Sequence, residues 1–216
     1  HKRPPGERYT LGRAAERAEP SGRNHIYRKK SRWQNSHLYI VHRSTDNLTE
    51  TTLKKIGIIS DTHGCFDQTL RDFLSEVDEI WHAGDIGSLE LADRIAAFKP
   101  LRAVSGNIDG GMTRRVYPDF LAFRCEEVQV LMTHIGGYPR HYDPRALRRI
   151  QQLRPKLFIA GHSHILKVLY DGVYDLLHVN PGAAGEFGFH RVRTAVRLSI
   201  DGDRMFDMEV GEWPRG

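Results

Sequence analysis

Short apolar runs alternate with amphipathic stretches along the chain from about residue 53 onward. Five of these runs, four to six residues long, are rich in β-branched and aliphatic side chains, which is typical of buried strands. They cover residues 56–60, 80–83, 101–105, 128–133 and 157–160. The pattern therefore predicts five core strands separated by connections long enough for helices.

The connections between the runs show helical periodicity. The first predicted helix covers 66–77, and the second covers 89–96. A third begins with Asp143 as N-cap and Pro144 in its first turn, and it ends before Pro155. Strands that alternate with helices are the pattern of an α/β layered fold.

After His164 the pattern changes to strands joined by tight turns. The pairs Asp171-Gly172 and Asp201-Gly202 are typical of two-residue hairpin loops. Alternating residues on the last two strands are predicted to face inward: Val196, Leu198, Ile200, Phe206, Met208 and Val210. A strand and helix first half followed by hairpins predicts a four-layer αββα sandwich, in which two mixed β-sheets are flanked by helices.

The composition fits one globular domain, over 53–216, preceded by a flexible leader over 1–52. The chain is 39% hydrophobic and has no apolar run near 18 residues, so we expect a soluble protein with no membrane partner. The two cysteines have neither zinc-site nor disulfide spacing, and no secretory signal is recognisable. These features favour a cytoplasmic location.

The basic charge of the chain belongs to the leader. Up to Leu53 there are 11 Lys and Arg against 5 Asp and Glu, whereas the remainder has 21 against 22. The run Arg28-Lys29-Lys30, with Tyr27 and Trp33 nearby, has two interpretations. It could contact RNA phosphates and bases, or it could simply be solvated, which is the more common case. Nucleic acid is therefore not the expected partner.

Each predicted core strand ends at side chains that bind metals. These side chains are Asp61, His63, Asp85, Asn107, His134, His162 and His164. Taken singly, Asp61 and Asp85 are equally typical of helix caps. The sequence Gly161-His162-Ser163-His164 is stronger, because two imidazoles after an apolar strand gain nothing from packing there. Since strand ends of an α/β sheet meet at one crevice, we expect the side chains to converge.

The order of these motifs is more specific than any one of them. Steps of 24, 22, 27 and 28 residues separate Asp61, Asp85, Asn107, His134 and His162, and each step is about one strand-helix-strand unit. The order D-x-H, G-D, G-N-x-D, H and G-H-x-H resembles the calcineurin-like metallophosphoesterase superfamily. The resemblance extends from Lys54 to about Gly182 and is greatest to small single-domain phosphodiesterases of the YfcE type.

The resemblance implies a metal-dependent phosphodiesterase or phosphatase in which a hydroxide bridging two divalent metals attacks the phosphoester. It implies that one metal is held by Asp61, His63 and His164, the other by Asn107, His134 and His162, and that Asp85 bridges both. Imidazole and carboxylate ligands suit Mn, which we expect, with Fe, Zn, Ni and Co open. Asp85, Asn107 and His134 would be the catalytic residues. Small members often form homodimers or homotetramers.

Three features of the chain depart from the superfamily pattern. Ile108 stands where the protein Ser/Thr phosphatases have a general-acid histidine, so either leaving groups are good ones or His82, His141 or His190 assists. Asp109 would orient a ligand histidine or cap the following turn. Ala183 replaces a serine of the N-P-G turn. The connections are too short for a cap insertion, so the substrate should be a small phosphodiester or phosphomonoester.

The alternative function is that of a non-catalytic scaffold or interaction module. The retromer subunit with this fold serves as a scaffold, which shows that such a domain need not be an enzyme. That relative lacks a ligand histidine that the present chain keeps. Retention of metal on purification would distinguish the enzyme from the scaffold.

Overall fold

Two five-stranded sheets lie at the centre of the fold. The computed structural model describes residues 53–188 and 190–215. The predicted leader, 1–52, lies outside the described residues. In spatial order, the first sheet consists of β12 (Arg204–Pro214), β11 (Val192–Asp201), β1 (Lys54–Ile59), β2 (Glu79–His82) and β3 (Leu101–Ala103). The second consists of β4 (Phe120–Cys125), β5 (Val128–Thr133), β8 (Leu157–Ala160), β10 (Leu176–Pro181) and β9 (Leu166–Asp171).

Both sheets are mixed, as the sequence predicts. Strands β1, β2 and β3 are parallel, and β11 and β12 extend that sheet as an antiparallel hairpin. In the second sheet β5, β8 and β10 are parallel, with β4 and β9 antiparallel at the edges. A small separate hairpin joins β6 (Gly137–Tyr138) to β7 (His141–Tyr142). The carboxyl ends of five parallel strands therefore carry the predicted ligands.

Three apolar cores separate the four layers. Ile58 and Trp81 from the first sheet pack with Val130 and Ile159 from the second, which fills the space between the sheets. Helices α1 (Gln68–Leu74) and α2 (Leu89–Phe98) cover the outer face of the first sheet, and α4 (Pro144–Leu153) covers the second. The predicted αββα sandwich is confirmed.

Helix boundaries follow from capping side chains. Asp67 accepts a hydrogen bond from the Leu70 N–H, which starts α1 two residues later than the apolar pattern indicates. Ser88 caps α2 in the same way, and Asp143 caps α4 with Pro144 in its first turn. Among the described residues, no helix is both long and apolar enough to cross a membrane.

Four details differ from the sequence prediction. Helix α3 (Gly111–Val116) was not predicted, because it buries only Thr113 and has no apolar face. The edge strand β4 was also missed. The connection between β9 and β10 is a four-residue loop, 172–175, and the β11–β12 loop is 202–203, one residue later than expected.

A β-bulge changes the faces of the last strand. Between the pairs Arg197↔Glu209 and Ser199↔Phe206, β12 has one residue more than β11, and Asp207 adopts a φ of 48°. Beyond the bulge Met205, instead of the expected Phe206, packs into the inter-sheet core. The prediction that Phe206 faces inward was therefore wrong.

Two buried histidines make the fold sensitive to acid. Burial lowers the pKa of His82 and of His178 to about 4. The ring nitrogens of His178 find no hydrogen-bond partner within 53–188 and 190–215, and its ring lies 5.6 Å from that of Phe158. In the unfolded chain these histidines bind protons below about pH 6.5, whereas in the folded protein they stay neutral down to about pH 4. The stability is therefore fully present above about pH 6.5 and decreases as the pH falls toward about 4.

We expect the free energy of unfolding to decrease as the pH is lowered from 6.5 to 4, by up to roughly 3 kcal/mol for each of the two histidines. His178→Phe removes one of them and should flatten the pH dependence while keeping the stability at pH 7. Urea unfolding at several pH values measures this. The exposed His141, changed to Gln, is the matched control. Identical slopes for wild type and His178→Phe would contradict the assignment.

Candidate metal centre

The ligand loops have an unusual backbone. Five of the seven predicted ligands adopt a positive φ: Asp61 52°, His63 46°, Asp85 55°, His162 69° and His164 58°. This conformation costs a non-glycine residue about 1 kcal/mol or more and persists only where the surroundings enforce it. Such strain concentrated at one set of strand ends marks a functional site.

Hydrogen bonds between neighbouring loops hold this backbone in place. The loop after β1 lies against the loop after β2, with the Asp61 N–H donating to the Gly84 carbonyl at 2.9 Å. The His63 N–H donates to the Asp85 carbonyl at 3.1 Å. The Ile108 N–H from the next loop donates to Asp85 Oδ1 at 3.0 Å. Three successive strand ends are thus tied together.

His82 supports these loops from below. The Gly84 N–H donates to its Nδ1 at 3.1 Å, so the proton of the neutral ring is on Nε2 and is donated to Thr62 Oγ1 at 2.8 Å. The Thr62 hydroxyl in turn donates to the Ile86 carbonyl at 3.0 Å. With a pKa near 4 and full burial, His82 is a structural residue here.

Asp109 is a second buried support. Its carboxylate accepts three backbone N–H bonds, from Ile86 at 3.1 Å, Gly87 at 2.8 Å and Gly106 at 2.8 Å. It was predicted to orient a ligand histidine or to cap a turn, and the observed contacts instead join the loops after β2 and β3. Asp109 therefore fixes the ligands of those loops through the backbone.

Asp61, His63 and His164 form the first cluster of ligand atoms. His164 Nε2 lies 3.1 Å from Asp61 Oδ1 and 3.4 Å from His63 Nε2, while His63 Nε2 lies 4.0 Å from the same carboxylate oxygen. Asp61 is fully buried, and among the described residues its Oδ1 has no hydrogen-bond partner. A buried carboxylate oxygen without a donor, facing two imidazole nitrogens, fits a cation.

Asp61, Asp85 and His134 form the second cluster. The Nδ1 of His134 contacts the Ala83 carbonyl at 2.8 Å, which places the ring proton on that nitrogen. In the neutral ring, Nε2 therefore directs a lone pair at Asp85 Oδ1, 3.3 Å away, and at Asn107 Oδ1, 2.9 Å away. Lone pairs and acceptor oxygens repel, so this arrangement requires a proton or a metal ion among them.

The pKa values of this cluster agree with that requirement. Burial alone would raise the pKa of Asp85, but the hydrogen bond and charge of His134 and the Ile108 N–H outweigh it and lower the pKa. Burial alone would lower the pKa of His134, but Asp85 and the charge of Asp61 prevail and raise it. The cluster thus favours positive charge between two buried carboxylates, which a divalent cation supplies.

His162 lies at the edge of the clusters. Its backbone N–H donates to Asp61 Oδ2 at 3.2 Å. Its side chain is exposed, and its ring lies 5.2 Å from the His134 ring in an edge-on arrangement. Asp85 spans both clusters, with Oδ1 near His134 and Oδ2 4.0 Å from His63. The structure therefore brings all seven predicted residues to one rim, with His162 the most peripheral.

Two glycines of the motifs allow the close approach. A Cβ on Gly106 would lie 2.0 Å from Asp85 Oδ1, and one on Gly161 would lie 2.0 Å from Ser60 Oγ. No side chain fits at either position. The glycines before Asn107 and His162 are thus required by packing against the carboxylate loops.

The N-P-G turn closes the site from the second sheet. Asn180 Nδ2 donates to the Gly161 carbonyl at 2.8 Å and to Ser163 Oγ at 3.0 Å. The Ala184 N–H donates to the Ser60 carbonyl at 2.9 Å. Ala183 is buried within this packed turn.

Sequence reasoning missed Arg114 of helix α3. Its guanidinium donates from Nε to the Asp109 carbonyl at 2.5 Å and from Nη2 to the Gly106 carbonyl at 2.6 Å. It thereby braces the loop that carries Asn107. No sequence signal pointed to it, because α3 lacks an apolar face.

The histidines considered as general acids differ in their exposure. His82 is buried, whereas His141 and His190 are exposed, and the ring of His141 lies 5.1 Å from that of Tyr138. Ile108 places its backbone N–H on Asp85 while 49% of the residue is exposed beside the centre.

Replacing Asp109 tests whether the buried carboxylate positions the ligand loops. Asp109→Asn keeps one acceptor oxygen, so some of the three N–H groups lose their partner. We expect a loss of about 1–3 kcal/mol in unfolding free energy and a Mn affinity lower by roughly 10-fold to 100-fold. Isothermal titration calorimetry and urea unfolding measure both. Asp203→Asn, in the exposed last hairpin, is the control, and wild-type Mn affinity in Asp109→Asn would refute the role.

Comparison with known proteins agrees with this geometry. Residues 55–203 match the calcineurin-like phosphoesterase superfamily domain. A probable metallophosphoesterase of Methanothermobacter thermautotrophicus is 30% identical over 161 residues, which is 72% of this chain and 90% of that protein.

Two solved structures share the fold. A conserved protein of Streptococcus pneumoniae, described as a predicted phosphoesterase, is 23% identical, with a TM-score of 0.54 over 76% of this chain and 91% of that one. Vps29 of Entamoeba histolytica, complexed with Zn²⁺, is 17% identical, with a TM-score of 0.58 over 75% and 99% of the two chains. The resemblance inferred from the motifs is confirmed, and this chain belongs to the calcineurin-like phosphoesterase superfamily as a metal-dependent phosphoesterase.

Proposed function

We propose that this protein hydrolyses a phosphodiester, or a phosphomonoester with a good leaving group, at a centre of two divalent cations, with Mn the preferred metal. The observation that carries the proposal is the arrangement around His134. Its Nε2 lone pair, Asp85 Oδ1 and Asn107 Oδ1 point at one another, and no hydrogen-bond donor in the described part of the chain reaches the nearby Asp61 Oδ1. Imidazole, carboxylate and amide donors arranged in this way are suited to bind divalent cations.

In this proposal Asp61, His63 and His164 hold one cation, and Asn107, His134 and His162 hold the other. Asp85 is the shared ligand, because its two oxygens face the two clusters. The neutral amide of Asn107 contributes an oxygen without adding negative charge. Two bound cations would lower the pKa of a shared water and neutralise the phosphate oxygens.

The residues of the chain have defined tasks in the reaction. The buried Asp61 and Asp85 fix the positions of the cations, and the Ala83 carbonyl fixes the tautomer of His134. Asn107 and His162 are exposed and stand on the side from which a substrate enters. The short connections between motifs leave that side uncovered, which favours a small substrate or an exposed phosphate.

Removing a central ligand should abolish the activity. Asp85→Ala and His134→Ala are expected to lose Mn-dependent hydrolysis of bis(4-nitrophenyl) phosphate and to retain less than the roughly two metal ions per chain of the wild type. The absorbance of the released 4-nitrophenolate and elemental analysis measure the two effects.

Asp203→Ala, which removes an exposed carboxylate in the last hairpin, is the control and should keep both properties. Unchanged activity and metal content in both ligand variants would refute the proposal. A metal-free wild-type protein without turnover would instead favour the non-catalytic interaction module.

The side chain at position 108 should determine how the rate depends on the leaving group. An isoleucine beside Asp85 cannot donate a proton to a departing oxygen, so the rate should fall steeply as the pKa of the leaving group rises. In Ile108→His the dependence should be flatter. A series of aryl phosphodiesters measures both slopes, with Ile108→Leu as the control for a changed side chain. A flat dependence in the wild type would mean that another group supplies the proton.

A further inference from the structure

A cavity of about 160 Å³ adjoins the metal centre on the side of Asn107 and His134. Both of these ligands line it, so a phosphate held at the centre would extend one of its ester groups into this space. Arg114, Asp119 and Arg145 also line the cavity. The cavity thus connects the proposed reaction centre to a group of charged side chains.

Two arginines meet one carboxylate in this cavity. Arg145 Nη2 lies 3.1 Å from Asp119 Oδ2, and Arg114 Nη1 lies 3.4 Å from Asp119 Oδ1. Ser105 Oγ also donates to Asp119 Oδ1, at 3.3 Å. Asp119 is 51% exposed, and Arg145 lowers its pKa by hydrogen bonding. The second acid of the lining, Asp143, is already used as the N-cap of α4.

The two arginines differ in the partners that their guanidinium groups already have. Arg114 donates to two backbone carbonyls of the Asn107 loop, which leaves its Nη1 for the cavity. Arg145 has Asp119 as its ion-pair partner, and its side chain is 62% exposed. Its guanidinium lies 5.2 Å from the centroid of the Phe120 ring, and the guanidinium of Arg149 lies 4.4 Å from the same centroid. The two arginines of the lining are balanced by two aspartates, Asp119 and Asp143, and Phe120 packs against the guanidinium of Arg145.

We propose that this cavity binds a second phosphate of the substrate, so that the substrate is a phosphodiester with a further phosphate on one of its ester groups, as in a phosphorylated nucleotide ester. This inference rests on the proposed function. Arg145 and Nη1 of Arg114 bind the second phosphate, and the planar guanidinium of Arg145 matches two phosphate oxygens.

Asp119 holds the arginines in place in the absence of substrate. An exposed ion pair contributes at most about 1 kcal/mol, so it does not prevent exchange of partners. A phosphate carries a charge of roughly −1.5 to −2 at neutral pH, more than the single charge of Asp119. The stronger anion should therefore displace the carboxylate from Arg145.

Two matched substrates test the subsite. Thymidine 5′-(4-nitrophenyl phosphate) and its 3′-phosphorylated form contain the same scissile bond, and only the second carries the additional phosphate. With Mn-loaded protein we expect kcat/KM to be at least about tenfold higher for the 3′-phosphorylated substrate. In Arg145→Ala this preference should fall below about threefold. Arg148→Ala, an exposed arginine of the same helix, is the control and should keep the preference.

Equilibrium binding provides a readout that does not depend on turnover. Thymidine 3′,5′-bisphosphate should bind the Mn-loaded protein at least about tenfold more tightly than thymidine 5′-phosphate, and Arg145→Ala should remove most of this difference. If the bisphosphate preference is present but neither ester is hydrolysed, the subsite stands and the proposed function fails. If both esters are hydrolysed equally and both nucleotides bind equally, the subsite is refuted while the proposed function stands. Equal binding with no hydrolysis refutes both.

Discussion

The backbone hydrogen bonds between the loops after β1 and β2 determine the rest of the centre. Asp61 and Asp85 both adopt positive φ, and the bond from the Asp61 N–H to the Gly84 carbonyl holds the two loops side by side. Without it, neither carboxylate would remain buried against the other's loop. His82 and Asp109 complete the support by occupying donors that would otherwise be buried without partners. The ligand geometry is thus a property of these supporting groups as much as of the ligands.

Electrostatics then gives the loops their chemical character. Two buried carboxylates near each other repel and are poorly solvated, which opposes folding unless positive charge lies between them. In this structure the neighbouring imidazoles supply part of that charge, as the raised pKa of His134 indicates. A divalent cation would neutralise the two carboxylates more completely than the imidazoles do. Binding of metal and stability of these loops should therefore be coupled.

Much of this arrangement could be predicted from the sequence. Apolar runs and glycine-flanked ligands gave the strand ends, because buried parallel strands and their terminal motifs are local signals. Arg114 was assigned no role and Asp109 a different one, since their partners lie 3 to 23 residues away and depend on folding. The prediction of which side chains of β12 face inward was wrong beyond Asp207, because a bulge shifts the alternation and no side-chain pattern marks the bulge. Helix α3 escaped detection for the related reason that it contributes one buried residue.

The two sheets also share the candidate metal centre between them, which links core packing to the positions of the ligands. Asp61 and Asp85 belong to the first sheet, whereas His134 and His162 follow strands of the second. The Ala83 carbonyl contacts His134 Nδ1 at 2.8 Å, and the His162 N–H donates to Asp61 Oδ2, so both bonds cross from one sheet to the other. A Cβ on Gly84 would lie 2.7 Å from His134 Cβ, so this glycine sets how closely the sheets approach. Because Trp81 and Ile159 of the inter-sheet core lie directly behind these strand ends, a change in core volume should alter the separation of the two ligand clusters as well as the stability.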